Sequence, residues 1–156
     1  MTPAIDRRRL LQSGLALGVG LASPATRACE FFSTHLRITH PWARASLDNA
    51  GTAVVCLGFD QVRQADRLIG VHSPVASGAQ LAGAGTNLAI NSAINPAINL
   101  PIPSGQDTLL SEDGTHILLT GLTVPLEVGR QYPLQLVFER GGVIDASLSI
   151  DYARFA

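Results

Sequence analysis

The residues on either side of Arg140-Gly141-Gly142 alternate between apolar and polar, and that alternation constrains the fold more than any other feature of the chain. Before the glycines, Leu134, Leu136 and Phe138 fall on one side, with Gln135 and Glu139 on the other. After them, Ile144, Ala146, Leu148 and Ile150 lie opposite Asp145, Ser147, Ser149 and Asp151. A period of two is that of a half-buried strand. Two such runs joined by a short glycine-rich loop make a β-hairpin, with glycines where a positive φ is needed.

Short, branched, apolar segments separated by Gly, Pro, Asn and Ser continue this pattern along the chain, which predicts an all-β fold. Strands are expected over 34–42, 52–59, 67–73, 91–102, 116–122, 132–139 and 143–151. The fourth contains Ala-Ile-Asn three times at a spacing of four, read as an extended strand with its isoleucines inward and Pro96 at a bulge or edge. Such a set packs as a Greek-key sandwich or barrel.

A chain of 156 residues suits a single domain. Its first 28 residues read as an export signal: Arg7, Arg8 and Arg9, then an apolar run from Leu10 to Leu21, then small residues to Ala28. The run is too short to span a bilayer. Arg7-Arg8-Arg9-Leu10-Leu11-Gln12 also fits the twin-arginine export pattern. The domain is therefore assigned to 29–156 and to the periplasm, with no transmembrane segment in its mature form. Arg27, two residues before Cys29, fits a lipoprotein box poorly.

Without the signal, seven arginines stand against eleven carboxylates, a net charge of −4, and the chain has no lysine. No basic patch interleaved with aromatics is present, which argues against a nucleic-acid partner. The two cysteines, Cys29 and Cys56, would enter an oxidising space where pairing is permitted, although Cys56 in Ala53-Val54-Val55-Cys56-Leu57 also reads as an ordinary core thiol. No Gly-x-Ser-x-Gly or His-Glu-x-x-His pattern occurs and no cysteine stands beside a histidine, so the chain is not read as an enzyme. Glu112 and Asp113 read as solvated turn residues, Trp42 as core or rim packing with Arg44 on its face, and His35 and His40 as opposite faces of the first strand.

Four blocks resemble one known family. They are Ile38-Thr39-His40-Pro41-Trp42-Ala43-Arg44 with Ala50 to Leu57; Asp66-Arg67-Leu68 leading to Ser73-Pro74-Val75-Ala76; Gly114-Thr115-His116-Ile117-Leu118; and Leu122 to Gly129 leading to Tyr132 to Glu139. In order and spacing they resemble the PCu(A)C family of periplasmic copper chaperones. That resemblance implies a cupredoxin-like domain of about seven to nine strands that holds Cu(I) with two histidines and two methionines and serves cytochrome oxidase assembly. Carried over residue by residue, the second histidine is His116. The first histidine falls on Ala82, the first methionine on Ala93 or Ile94, and the second methionine on Leu118.

The chain's one methionine is Met1, inside the signal, so no thioether ligand exists anywhere in the mature domain. The expectation is a copper-chaperone-like protein with a degenerate Cu(I) site and His116 as its one metal-ligand candidate. The partner implied is an oxidase assembly factor or another periplasmic protein. Two alternatives stand beside it: a metal-free interaction or scaffold module, and a Cu(II) or Zn(II) binder using His116 with His72 or His40.

Overall fold

In a computed structural model, residues 30–46, 51–83 and 98–151 are described, and among them every regular element is a strand. The strands are β1 (Glu30–Phe32), β2 (Arg37–Arg44), β3 (Thr52–Asp60), β4 (Asp66–His72), β5 (Ala76–Ala82), β6 (Leu100–Ile102), β7 (Thr108–Leu110), β8 (His116–Leu122), β9 (Gln131–Phe138) and β10 (Gly142–Asp151). They form one sheet in the order β5-β8-β3-β2-β10-β9-β4-β6, with β1 on β2 and β7 on β3. Every pairing is antiparallel except β10 with β2. Ser73, Pro74 and Val75 turn β4, next to one end of this order, directly into β5 at the other end, which nearly closes the sheet into a barrel.

The predicted hairpin is β9–β10, paired from Gly142↔Phe138 to Ser149↔Gln131. Leu134, Leu136, Phe138, Ile144, Ala146, Leu148 and Ile150 all enter the core, as their period of two requires. Only the second glycine of the turn is there for its backbone, with Gly142 at φ 72°. Gly141 is there for space: a Cβ on it would stand 3.1 Å from Asp66 Oδ2.

Asp66, first residue of β4, is the reason for that crowding. The residue is 7% exposed. It accepts backbone N–H bonds from Arg67 at 2.7 Å, Arg140 at 2.9 Å and Gly141 at 2.8 Å. A buried carboxylate met by three donors ties the hairpin turn to the neighbouring strand. The hydrophobic centre includes Phe59 and Phe138, whose rings meet edge to face at 5.9 Å between centroids.

Several expectations need correction. Among the described residues the strand count is ten, because β1, β5 and β7 escaped the pattern: two are three residues long, and β5, Ala-Ser-Gly-Ala-Gln-Leu-Ala, carries too few apolar side chains to show a period. The first predicted strand begins later and runs further, as Arg37–Arg44. His35 therefore lies before it. His40 adopts φ 46° within a register shift between Thr39 and Trp42, so the two histidines are not opposite faces of one regular strand. Of the strand expected over 91–102, residues 91–97 with Ala93 and Ile94 lie outside the described residues. Cys29 lies outside them too, and Cys56 is a free thiol.

Candidate functional site

His116 opens β8, and alternation decides what stands beside it. Ile117 and Leu119 point into the core with no exposed surface, so His116, Leu118 and Thr120 lie on the outer face of the barrel wall. In β3 the core takes Ala53, Val55, Leu57 and Phe59, and the outer face takes Val54 and Cys56. The registers Ala82↔His116, Val55↔Ile117 and Trp42↔Cys56 then set one row across four strands. It reads Ala82, His116, Cys56, Trp42. One step along the strands lies a second row of Gln80, Leu118 and Val54, with Arg44 abreast.

The ring of His116 is oriented by its own turn. Nδ1 lies 3.0 Å from the carbonyl oxygen of Gly114. A carbonyl only accepts, so Nδ1 carries the proton and, in the neutral ring, Nε2 carries the lone pair. That is the arrangement in which an imidazole can ligate a metal through Nε2. Gly83 closes around the same place at φ 102°, where a Cβ would come within 1.9 Å of Gly114 O.

The turn before β8 supplies the site's charge. Ser111 N–H bonds Thr115 O at 3.0 Å and Gly114 N–H bonds Ser111 O at 3.1 Å. This turn places Glu112 over the outer face, where Arg44 donates from Nε and Nη2 to both of its carboxylate oxygens. Contrary to expectation, Glu112 is half-buried and paired. The Arg44 hydrogen bonds hold its carboxyl below the usual carboxylate range, with burial opposing and the charges of Arg44 and His116 adding. Cys56 is also affected: burial, and then the negative charge of Glu112, push its thiol up to about 11, against the pull of Arg44. Cys56 is 2% exposed yet stands apart from the central apolar cluster, because it is covered on the outer side of the wall.

The other histidines do not join this row. His40 Nε2 lies 3.4 Å from Asp151 Oδ2. His72 stands across from Gln135 on the β4–β9 side, at the rim of an open cavity of about 440 Å3 walled by Pro74 and Pro133. Among the described residues no three His, Cys, Asp or Glu side chains are grouped so as to hold a metal ion.

The residues present do not fit a copper centre of two histidines and two methionines. Leu118, beside His116 on the outer face, and Ala82, directly across from it, offer no ligand atom. Sequence reasoning passed over Cys56, Glu112 and Arg44 as neighbours of His116. The signal was available for Cys56, which has even parity with Thr52 and Val54 against the odd apolar set of β3. For Glu112 there was none, since its position depends on how a turn folds over another strand.

No curated protein sequence matches the chain. Among solved structures, the apo PCuAC domain from PmoF1 is 27% identical at a TM-score of 0.68, covering 79% of this chain and 98% of that one. The copper-bound PCuAC domain from PmoF2 is 23% identical at a TM-score of 0.67, covering 79% and 97%. The Cu(I) form of DR1885 from Deinococcus radiodurans shares the fold at 20% identity and a TM-score of 0.57, covering 74% and 77%. Residues 36–150 match the LpqE-like family, so the chain belongs to that family, with the all-β fold of PCu(A)C domains.

Proposed function

We propose that the protein is an exported copper-handling domain of the PCu(A)C type, non-enzymatic, whose Cu(I) ligand set is reduced to His116. The observation that carries this reading is the pairing Ala82↔His116 beside Leu118: a ligand face in the same fold as copper-bound domains, with most ligand atoms gone. Support for the copper connection comes from the solved relatives, two of which are described as copper-bound or Cu(I) forms. A role in oxidase assembly follows from the resemblance alone.

Export into the periplasm rests on the leader, and the family's description as lipoproteins turns attention to Cys29 as an acylation site. Arg27 disfavours that anchor. Palmitate labelling of the exported protein, with Cys29→Ser as control, separates anchored from free forms.

A Cu(I) competition titration with a strong chelator tests the main reading. With both cysteines replaced by serine, the exported protein is expected to lose copper to the chelator, since a single imidazole makes a weak site. Copper that stays bound in that thiol-free chain and is released by adding His116→Ala would show a centre that needs no sulfur, against the proposal.

A further inference from the structure

We propose that Cys56 and His116 together form a two-coordinate site for a soft monovalent cation of the Cu(I) or Ag(I) class. This deepens the copper-handling reading above and rests on it. The thioethers are missing from the ligand face, but a sulfur is not: the one described cysteine lies on that face, in the row of His116.

The placement follows from register. Val55 pairs with Ile117 and both enter the core, so Cys56 and His116 come next, abreast on the outer side of adjacent strands. Side chains directly opposite in an antiparallel pair stand about 4.5–5.5 Å apart at Cβ. Bonds of about 2 Å from the metal to Sγ and to Nε2 need those two atoms roughly 4 Å apart, a separation open to side chains that project from such neighbouring positions. Both groups also share one charged neighbour, since the Glu112 carboxylate acts on the Cys56 thiol and is itself acted on by His116.

Two further observations point to a ligand. Cys56 is 2% exposed, and its thiol is free of a disulfide and makes no hydrogen bond among the described residues. His116 has its Nδ1 committed to Gly114 O, which leaves the Nε2 lone pair as its remaining donor atom. A d10 monovalent ion needs only two ligands, so the absence of a three-residue group among the described residues does not oppose it. Thiolate sulfur selects Cu(I) over harder ions, and imidazole adds a neutral second ligand. On binding, the Cys56 S–H bond breaks, the sulfur–metal bond forms and the proton leaves to solvent; no electron is transferred. Arg44 and Glu112, paired with each other, are the charged groups that act on the thiol.

The test uses Ag(I) as an air-stable probe on the exported full chain carrying Cys29→Ser, which leaves Cys56 as its one thiol. After desalting, one equivalent of silver is expected to remain, with a thiolate-to-metal absorption in the near ultraviolet. Cys56→Ser and Cys56→Ala should each retain less than a tenth of that, and His116→Gln should bind at least tenfold more weakly. His72→Gln should bind like the parent, and circular dichroism confirms that each variant is folded. No silver on the parent would overturn this inference while leaving the proposed function intact. Silver that survives both Cys56 variants but is lost with His116→Gln would overturn both, because His116 would then belong to a centre that does not need the thiol.

Discussion

The two ends of β4 and β8 show how differently two parts of one barrel are held. At Asp66, a buried carboxylate accepts three backbone N–H bonds and fixes the β9–β10 turn, and each partner there is needed by the fold. At His116, the neighbours Ala82, Leu118 and Cys56 lie outside the core, on the far side of a wall whose inner residues do the packing. Core positions of the barrel are constrained by volume and hydrogen bonding. Outer-face positions are less so, and there a side chain can be exchanged for one of similar bulk, such as Met for Leu, while the fold stays the same.

That contrast orders the expected effects of mutation. Asp66→Ala leaves buried N–H groups without an acceptor and should cost about 3 kcal/mol in urea denaturation. His116→Ala, made for comparison, should cost less than about 1 kcal/mol. A loss at His116 equal to that at Asp66 would mean that the ligand face is part of the structural frame, and the contrast would fail.

The next effect is chemical. With its thiol raised to about 11 by burial, Cys56 should react with iodoacetamide at neutral pH roughly a hundredfold more slowly than an unfolded cysteine. Denaturant should remove the difference. Fast alkylation of the native protein would place Cys56 in solvent and break the row described for it.

Acid should have the smallest effect, and on the pairs that frame the wall. Hydrogen bonds from Arg37 and from Arg44 hold Asp60 and Glu112, respectively, below the ordinary carboxylate range. A depressed folded value means that the pairs stabilise the protein fully above the unfolded pKa, roughly 4, and that this contribution is lost as pH falls through the lower folded value. Both pairs are partly solvated, so salt should weaken the effect. Asp60→Asn and Glu112→Gln should each flatten the acid limb of the stability curve, and an unchanged limb in both would show that the pairs contribute nothing.

The hairpin and the core faces of β9 and β10 were legible from alternation, because burial on one side of a pleated strand imposes a period of two, and the strand expected over 116–122 opens on His116 as found. Three strands were not. β1 and β7 are too short to carry a period, and β5, at one end of the sheet order, is built from small residues. The ligand face was half legible. The resemblance identified Ala82 and Leu118 as positions without ligand atoms, but no reading of separate strands brings Cys56, Glu112 and His116 together. That needs the cross-strand register and the fold of the 111–115 turn, both products of tertiary pairing.

We propose that the frame of a copper-binding fold is intact here and that the loss lies in individual outer-face side chains. This claim is tested most directly by putting two of them back. Ala82→His with Leu118→Met, in a chain also carrying Cys56→Ser, is predicted to hold Cu(I) against a chelator at least a hundredfold better than the Cys56→Ser chain alone, with the same urea midpoint. A folded double replacement that gains no copper affinity would contradict the claim, because the face around His116 would then differ in geometry and not only in its ligands.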